Sequence, residues 1–358
     1  MKSQPGGLLK RLTEAHGVPG YEDEVREIFC AELAGAGKFA TDRAGSVLCD
    51  LGGKGPRVLL AGHMDEVGFR VQNITEDGFL KLVAVGGWWP HVLLAQTLVV
   101  KTTEGRKISG VVGSKPPHFM PEAERKNVMP LDQMFVDVGA SSRDEVAEWG
   151  VRVGDPVAPD TRFQELAGKG RYLAKAFDNR AGMGVAIEAG KELAAMQRSN
   201  CLLVAGTVQE EVGLRGAQTL ATLAKPDVAV LLEGTPADDT PGFDPSMGQG
   251  RVGEGVQIRM HDPSAIMNPR LAALAVETAE KEGIPHQVAV RTSGGTDAGR
   301  VHLTGEGVPC VVLGVPARYI HSHRAVIDMV DYVATTRLAV ALVKRLTPAR
   351  VKKLSAYL

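Results

Sequence analysis

The sequence predicts an α/β protein: a mostly parallel sheet flanked by helices, interrupted by a small inserted β barrel. Three observations carry this prediction. Apolar β-rich runs alternate with amphipathic helical segments near both ends of the chain, the pattern of parallel strands linked by helical crossovers. From about Arg70 to Asp160 the pattern changes to short alternating runs broken by Gly, Pro and charged turns, as in a small antiparallel barrel or sandwich. A length of 358 residues suits one large or two moderate domains. The expected division is a catalytic α/β domain over 1–69 plus 161–358, with the β insert at 70–160.

Tyr21 to Leu33 places Val25, Ile28, Phe29 and Leu33 at helical spacing, with acids in the first turn. Arg57 to Ala61 (RVLLA) reads as a strand running into Gly62-His63-Met64-Asp65. The insert contributes FLKLVAV, QTLVVKT, KISGVVG and MFVDVGA, and PPHFMPEAERKN within it is the best candidate for an exposed, mobile loop. Asn179 to Met196 is helical in pattern and follows Asp178, which could cap it. Cys201 to Val208 and Asp227 to Leu232 are apolar strands, each leading into an acid. Asn268 to Glu282 is a further amphipathic helix, Val308 to Leu313 a buried strand, and Asp328 to Leu346 a closing helix.

Composition removes several classes of function. Lys plus Arg (41) against Asp plus Glu (42) leaves a formal charge of −1, without the basic excess of a general nucleic-acid binder. Hydrophobic content of 44% and charged content of 23% exclude disordered and fibrous chains. The four cysteines form no CxxC pair, so zinc-finger and thioredoxin readings fail. No window approaches a membrane span, and the N-terminus lacks a secretory signal. A soluble, cytoplasmic protein is expected.

In open α/β sheets, reactive groups gather at the carboxyl ends of strands. His63 and Asp65 follow RVLLA, Asp178 lies where an extended run turns helical, Glu210-Glu211 follow CLLVAGTV, Glu233 follows VAVLL, and His321 and His323 follow VPARYI. Taken singly, each has an ordinary explanation: a local His–Asp pair, an N-cap, a solvated acidic turn. Jointly they suggest a site of imidazoles and carboxylates without thiolate, suited to zinc, cobalt or manganese. Two ions need a bridging carboxylate and further ligands for each. Glu210-Glu211 offers one ligand and one base for water. Both histidines of HSH would share a face if extended, so spacing does not choose between them. His16, His91, His261, His286 and His302 are expected to be structural or surface groups, and His118 belongs to the exposed loop. The Ser293-Gly294-Gly295-Thr296-Asp297 turn has no P-loop ending and either approaches substrate or makes a tight turn.

AGHMDEVGF, KAFDNRAG, QEEVGLRGA, LLEGTPADDTPG, SGGTDAG and VPARYIHSH, in this order, resemble the M42 metallo-aminopeptidases. That family includes glutamyl-aminopeptidase-like enzymes, the tetrahedral TET peptidases and proteins formerly mislabelled as endoglucanases. GYEDEVR and GVVGSKPPHFM extend the resemblance over nearly the whole chain. It implies a zinc-peptidase-like α/β fold with two divalent ions per subunit, Zn²⁺ first and Co²⁺ or Mn²⁺ as alternatives. By the same resemblance His63 binds one metal, Asp178 bridges both, and Glu233 completes the first shell. Glu211 and His321 hold the second metal, with His323 as the fallback for His321. Glu210 is the general base, and Asp65 orients His63 from behind. Many members carry Asp where this chain has Glu233; the longer arm can still reach a metal but alters the geometry there.

The resemblance further implies that the β insert mediates dimerisation and that dimers assemble into a hollow tetrahedral dodecamer admitting short peptides. The expected activity is removal of N-terminal residues by a metal-activated water. Two alternatives stand beside it: an N-acyl amino acid deacylase on the same scaffold, and a catalytically silent assembly protein. A glycosidase would also need two carboxylates, but it would leave the histidines unexplained.

Overall fold

The computed structural model describes residues 6–357; residues 1–5, part of the N-terminus read as lacking a signal, lie outside them. A nine-stranded sheet forms the frame. Its order is Lys38–Thr41, Val47–Asp50, Cys201–Thr207, Arg57–His63, Val228–Pro236, Cys310–Ala317, Val256–Asp262 and Ala265–Ile266, with His286–Val290 also paired to Val256–Asp262. The four strands from Cys201–Thr207 to Cys310–Ala317 are mutually parallel, whereas Val47–Asp50 and Val256–Asp262 join them antiparallel. The sheet is therefore mixed, with parallel pairing through its centre and again between Val256–Asp262 and His286–Val290.

The central strands are apolar on both faces because both are covered. Val58 and Leu60 point into one core layer, Leu59 and Ala61 into the other, and Leu202/Val204 against Leu203/Ala205 repeats the alternation. The first layer holds the helices Phe177–Ala194, Pro269–Lys281 and Met329–Arg345; the second holds Arg215–Ala224 and Ala298–Val301. The helix Phe177–Ala194 lies so close to the sheet that a Cβ at Gly182 would sit 2.4 Å from the Leu232 carbonyl oxygen. The chain does not end with the helix expected to close it. Met329–Arg345 is followed by Pro348–Leu354, started by the Thr347 side chain, which accepts from the Arg350 amide, and by Pro at the first helical position.

The intervening segment forms a closed six-stranded barrel, in the order Gly68–Ile74, Leu80–Val85, Phe135–Asp137, Lys107–Gly113, Thr97–Lys101 and Pro156–Pro159. Closure leaves no free sheet edge, and Phe69, Leu80, Leu98, Val100, Val136 and Val157 fill the interior. The first barrel strand begins only five residues after His63. PPHFMPEAERKN lies at the surface and contains a short turn at Pro117–Phe119 and a helix at Glu122–Arg125. Among the described residues, no helix is long and apolar enough to cross a membrane.

Candidate metal centre

The carboxyl ends of the parallel strands converge on one cavity of about 440 Å³, lined by His63, Asp178, Glu210, Glu211, Glu233 and His321. His63 ends the strand Arg57–His63. Glu210 and Glu211 follow Cys201–Thr207, while Glu233 lies within Val228–Pro236, paired opposite Gly314, rather than beyond the strand. A Cβ at Gly234 would be 2.3 Å from the Phe177 carbonyl oxygen, so glycine there lets the helix start carrying Asp178 reach the strand.

Asp178 occupies the middle. Its Oδ1 lies 3.1 Å from His63 Nε2 and its Oδ2 3.4 Å from His321 Nε2. Glu233 Oε2 is 3.5 Å from His63 Nε2, Glu211 Oε2 is 3.4 Å from His321 Nε2, and Glu210 Oε2 stands back at 3.9 Å from His63 Nε2. The capping role open to Asp178 falls instead to its neighbour: Asn179 Oδ1 accepts from the Gly182 amide at 3.0 Å, and Asn179 Nδ2 donates to the Leu232 carbonyl at 2.7 Å.

His321 and His323 do not share a face. His321 has φ 56°, which turns the chain between them. His323 is buried against Trp88, with ring centroids 5.4 Å apart, and burial holds its pKa down to about 4. The Gly294–Thr296 turn lines the cavity, anchored by a hydrogen bond from the Thr207 hydroxyl to Asp297. His16, His91, His261, His286 and His302 lie outside the cavity lining.

Asp65 has a task that sequence spacing did not reveal. His63 Nδ1 donates to its main-chain carbonyl at 3.1 Å. Its fully buried carboxylate accepts from the amides of Glu210 at 3.0 Å and Glu211 at 3.1 Å. Glu22 Oε1 accepts from the preceding amide, Gln209, at 3.2 Å. Two buried carboxylates thus hold three successive amides of the loop bearing both glutamates. Asp65→Asn offers one acceptor oxygen where two are used and leaves a buried N–H unpaired, at about 1–3 kcal/mol. We expect a lower denaturation midpoint together with a lower kcat; unchanged stability in urea titration would refute the cradle.

Electrostatics fit a cation centre. Burial opposes charge on His63, but Glu210 and Glu233 outweigh it and hold its pKa well above the usual imidazole range. His321 is raised to about 9: burial opposes its charge, and Asp178 and Glu211 prevail. Burial and then Asp178 push Glu211 up to about 8, and burial likewise raises Glu210 and Glu233. Asp178 alone is held low, its burial outweighed by the bonds from His321 and His63. Glu211 Oε1 is buried without a hydrogen-bond partner. An orphan carboxylate oxygen within a crowd of like charges fits a divalent ion. Two overlapping sets of ligand atoms, from His63, Asp178 and Glu211 and from His63, Glu210 and Glu233, each lie within 4.8 Å of one another.

The sequence profile of the M42 glutamyl aminopeptidase family matches residues 45–338. The glutamyl aminopeptidase of Lactococcus lactis subsp. cremoris is 35% identical over 354 residues, covering 98% of each chain. The solved TET aminopeptidase of Thaumarchaeota archaeon SCGC AB-539-E09 superposes with a TM-score of 0.94 at 40% identity, covering 97% of this chain and 98% of that one. Pyrococcus horikoshii TET1 peptidase, described as assembling into a tetrahedron or a large octahedral shell, superposes at 0.87 with 33% identity, covering 96% of this chain and 100% of that one. A mixed sheet with an inserted barrel, a histidine–carboxylate cavity at its strand ends and similarity along nearly the whole length lead to one conclusion: this chain belongs to the M42 glutamyl aminopeptidase family and is a peptide hydrolase.

Proposed function

We propose that the protein is a two-metal aminopeptidase that removes N-terminal residues from short peptides, with Glu210 as general base. The observation that carries this reading is Asp178, whose two oxygens each face a different imidazole, as a bridging ligand requires. His63 and Glu233 would hold one ion, and His321 and Glu211 the other, with zinc the first candidate for these donors. When bound, the ions would polarise the scissile carbonyl and make water more acidic. Glu210, standing further from His63 than Glu233 does, would take the proton from water and deliver it to the leaving amine. Burial raises its pKa, the direction a proton shuttle needs.

The direct test strips metal, restores Zn²⁺, Co²⁺ or Mn²⁺, and compares free-amine aminoacyl-anilides with their N-acetylated counterparts. Metal-dependent release from the free-amine series alone supports the reading. Release only from the acetylated series would replace it with a deacylase.

Proton linkage supplies a second test. In the metal-free protein His321 is held up to about 9 and Glu211 up to about 8, so each must shed a proton before serving as a ligand. Apparent metal affinity should rise with pH through this range. Both groups bind more protons folded than unfolded. Their stabilising contributions are complete below about 4.5 for Glu211 and 6.5 for His321, and are lost as pH rises through about 8 and 9. Equilibrium dialysis between pH 6.5 and 9.5 reads the affinity; a flat profile would contradict the ligand assignment.

The protein is further proposed to work in the cytoplasm as a homo-oligomer, with residues 70–160 as the dimerisation unit and dimers building a tetrahedral dodecamer. Support comes from the assembly described for the P. horikoshii peptidase; Val83, Trp89, Leu94, Val111 and Phe119 are exposed apolar side chains on the barrel segment that such an interface would cover.

A further inference from the structure

His321 is the least enclosed member of the site, its side chain 39% exposed against 1% for His63. Its backbone lies in the left-handed region, so local chain preference does not hold the ring. The partner of Nδ1 comes from the barrel: Nδ1–H donates to the Gly87 carbonyl at 2.9 Å.

Gly86-Gly87-Trp88 follows the barrel strand Leu80–Val85 and is shaped to pass the site closely. Gly86 has φ +85°, and a Cβ there would lie 2.6 Å from Val67 Cγ1 and 3.4 Å from Glu211 Cβ. A Cβ at Gly87 would meet only His321, 3.1 Å from Nδ1 and 3.6 Å from Cε1. Trp88 anchors the segment. Its Nε1 donates to the Gly68 carbonyl at 3.1 Å, and its ring stacks on Phe69 in the barrel core at 4.7 Å. His323 packs edge-on to the same indole, buried and with neither ring nitrogen bonded. Both histidines of the HSH turn therefore rest on one strap, His321 through a carbonyl and His323 through an aromatic face.

We propose that the Gly86–Trp88 strap is a positioning element of the metal centre: the Gly87 carbonyl fixes the Nδ1–H of His321 and aims Nε2 at Asp178 and Glu211, while Trp88 against His323 sets the turn that carries it. The physical basis is general, because a bond to one ring nitrogen decides the tautomer and direction of the other. The inference rests on the two-metal reading above. It gives the barrel a part in the chemistry separate from any part in assembly.

Gly87→Ala is a specific probe. Position 87 lies outside the left-handed region, and the added methyl meets only the His321 ring, which must give way by a few tenths of an ångström. Metal uptake is measured by equilibrium dialysis with Zn²⁺ alone, with the melting midpoint of the metal-free protein alongside. Gly87→Ala and Trp88→Ala should each weaken one of the two ions by about 10–100-fold and leave the other unchanged. The metal-free Gly87→Ala protein should melt as wild type does. Trp88→Phe, which keeps the aromatic faces, should restore most of the affinity lost in Trp88→Ala.

Wild-type affinity for both ions in Gly87→Ala and Trp88→Ala would overturn the proposal. If the wild-type protein itself takes up fewer than two ions, the two-metal reading fails, and the crystal structure of metal-free Gly87→Ala decides the strap alone. A displaced His321 ring sustains it; an unmoved ring ends it.

Discussion

Glu210→Gln should reduce kcat by about 10²–10⁴-fold while metal content stays at the wild-type level. The amide matches the carboxylate in size and cannot take a proton from water. Glu210 stands 3.9 Å from His63 Nε2, behind Glu233 at 3.5 Å and Asp178 at 3.1 Å, so removing its charge leaves the nearer donors in place. Its backbone amide would still be held by Asp65. Stability should not fall, because the change removes one carboxylate from a site where burial and like charges raise several. Steady-state kinetics on an aminoacyl-anilide, with metal analysis of the same sample, decides the matter. Retained turnover would remove Glu210 from the base role, and lost metal would make it a ligand instead.

Asp178→Ala should abolish binding of both ions, whereas Glu233→Ala should lose only the ion beside His63. The difference follows from geometry: Asp178 presents one oxygen to each imidazole, while Glu233 approaches only His63. Without the ions, kcat/KM should fall by roughly 10³-fold or more, since metal polarisation is worth several kcal/mol in the transition state. Metal content per chain separates the possibilities. An Asp178→Ala protein that keeps one tightly held ion would show that the carboxylate serves a single site, and the bridging role would be lost.

Much of this site was legible because strand ends are. An apolar run followed by the first carboxylate or imidazole flags the carboxyl end of a parallel strand; that rule points to His63, Glu210 and Glu211, and to Glu233, although Glu233 still lies within its strand. Asp178 was visible but ambiguous, since a helix start wants a capping acid whether or not a metal is near; the neighbouring Asn179 takes the capping bond and frees it. HSH left the choice between its two histidines open. Alternation assumes extended backbone, and the positive φ of His321 breaks the alternation and sends His323 under Trp88.

The α/β character, the β insert and the residue types of the centre were determined by the sequence itself. Periodicity and the placement of polar groups at strand ends are local properties, written within a few residues of each other. The supports were decided only by tertiary structure: the Asp65 carboxylate beneath two amides 145 and 146 residues away, Thr207 on Asp297, and the Gly87 carbonyl behind His321, 234 residues away. Main-chain donors and acceptors occur at nearly every residue and carry no sequence signature. Which of them meets a given side chain depends on the packing of the barrel and the sheet, and so appears only in the fold.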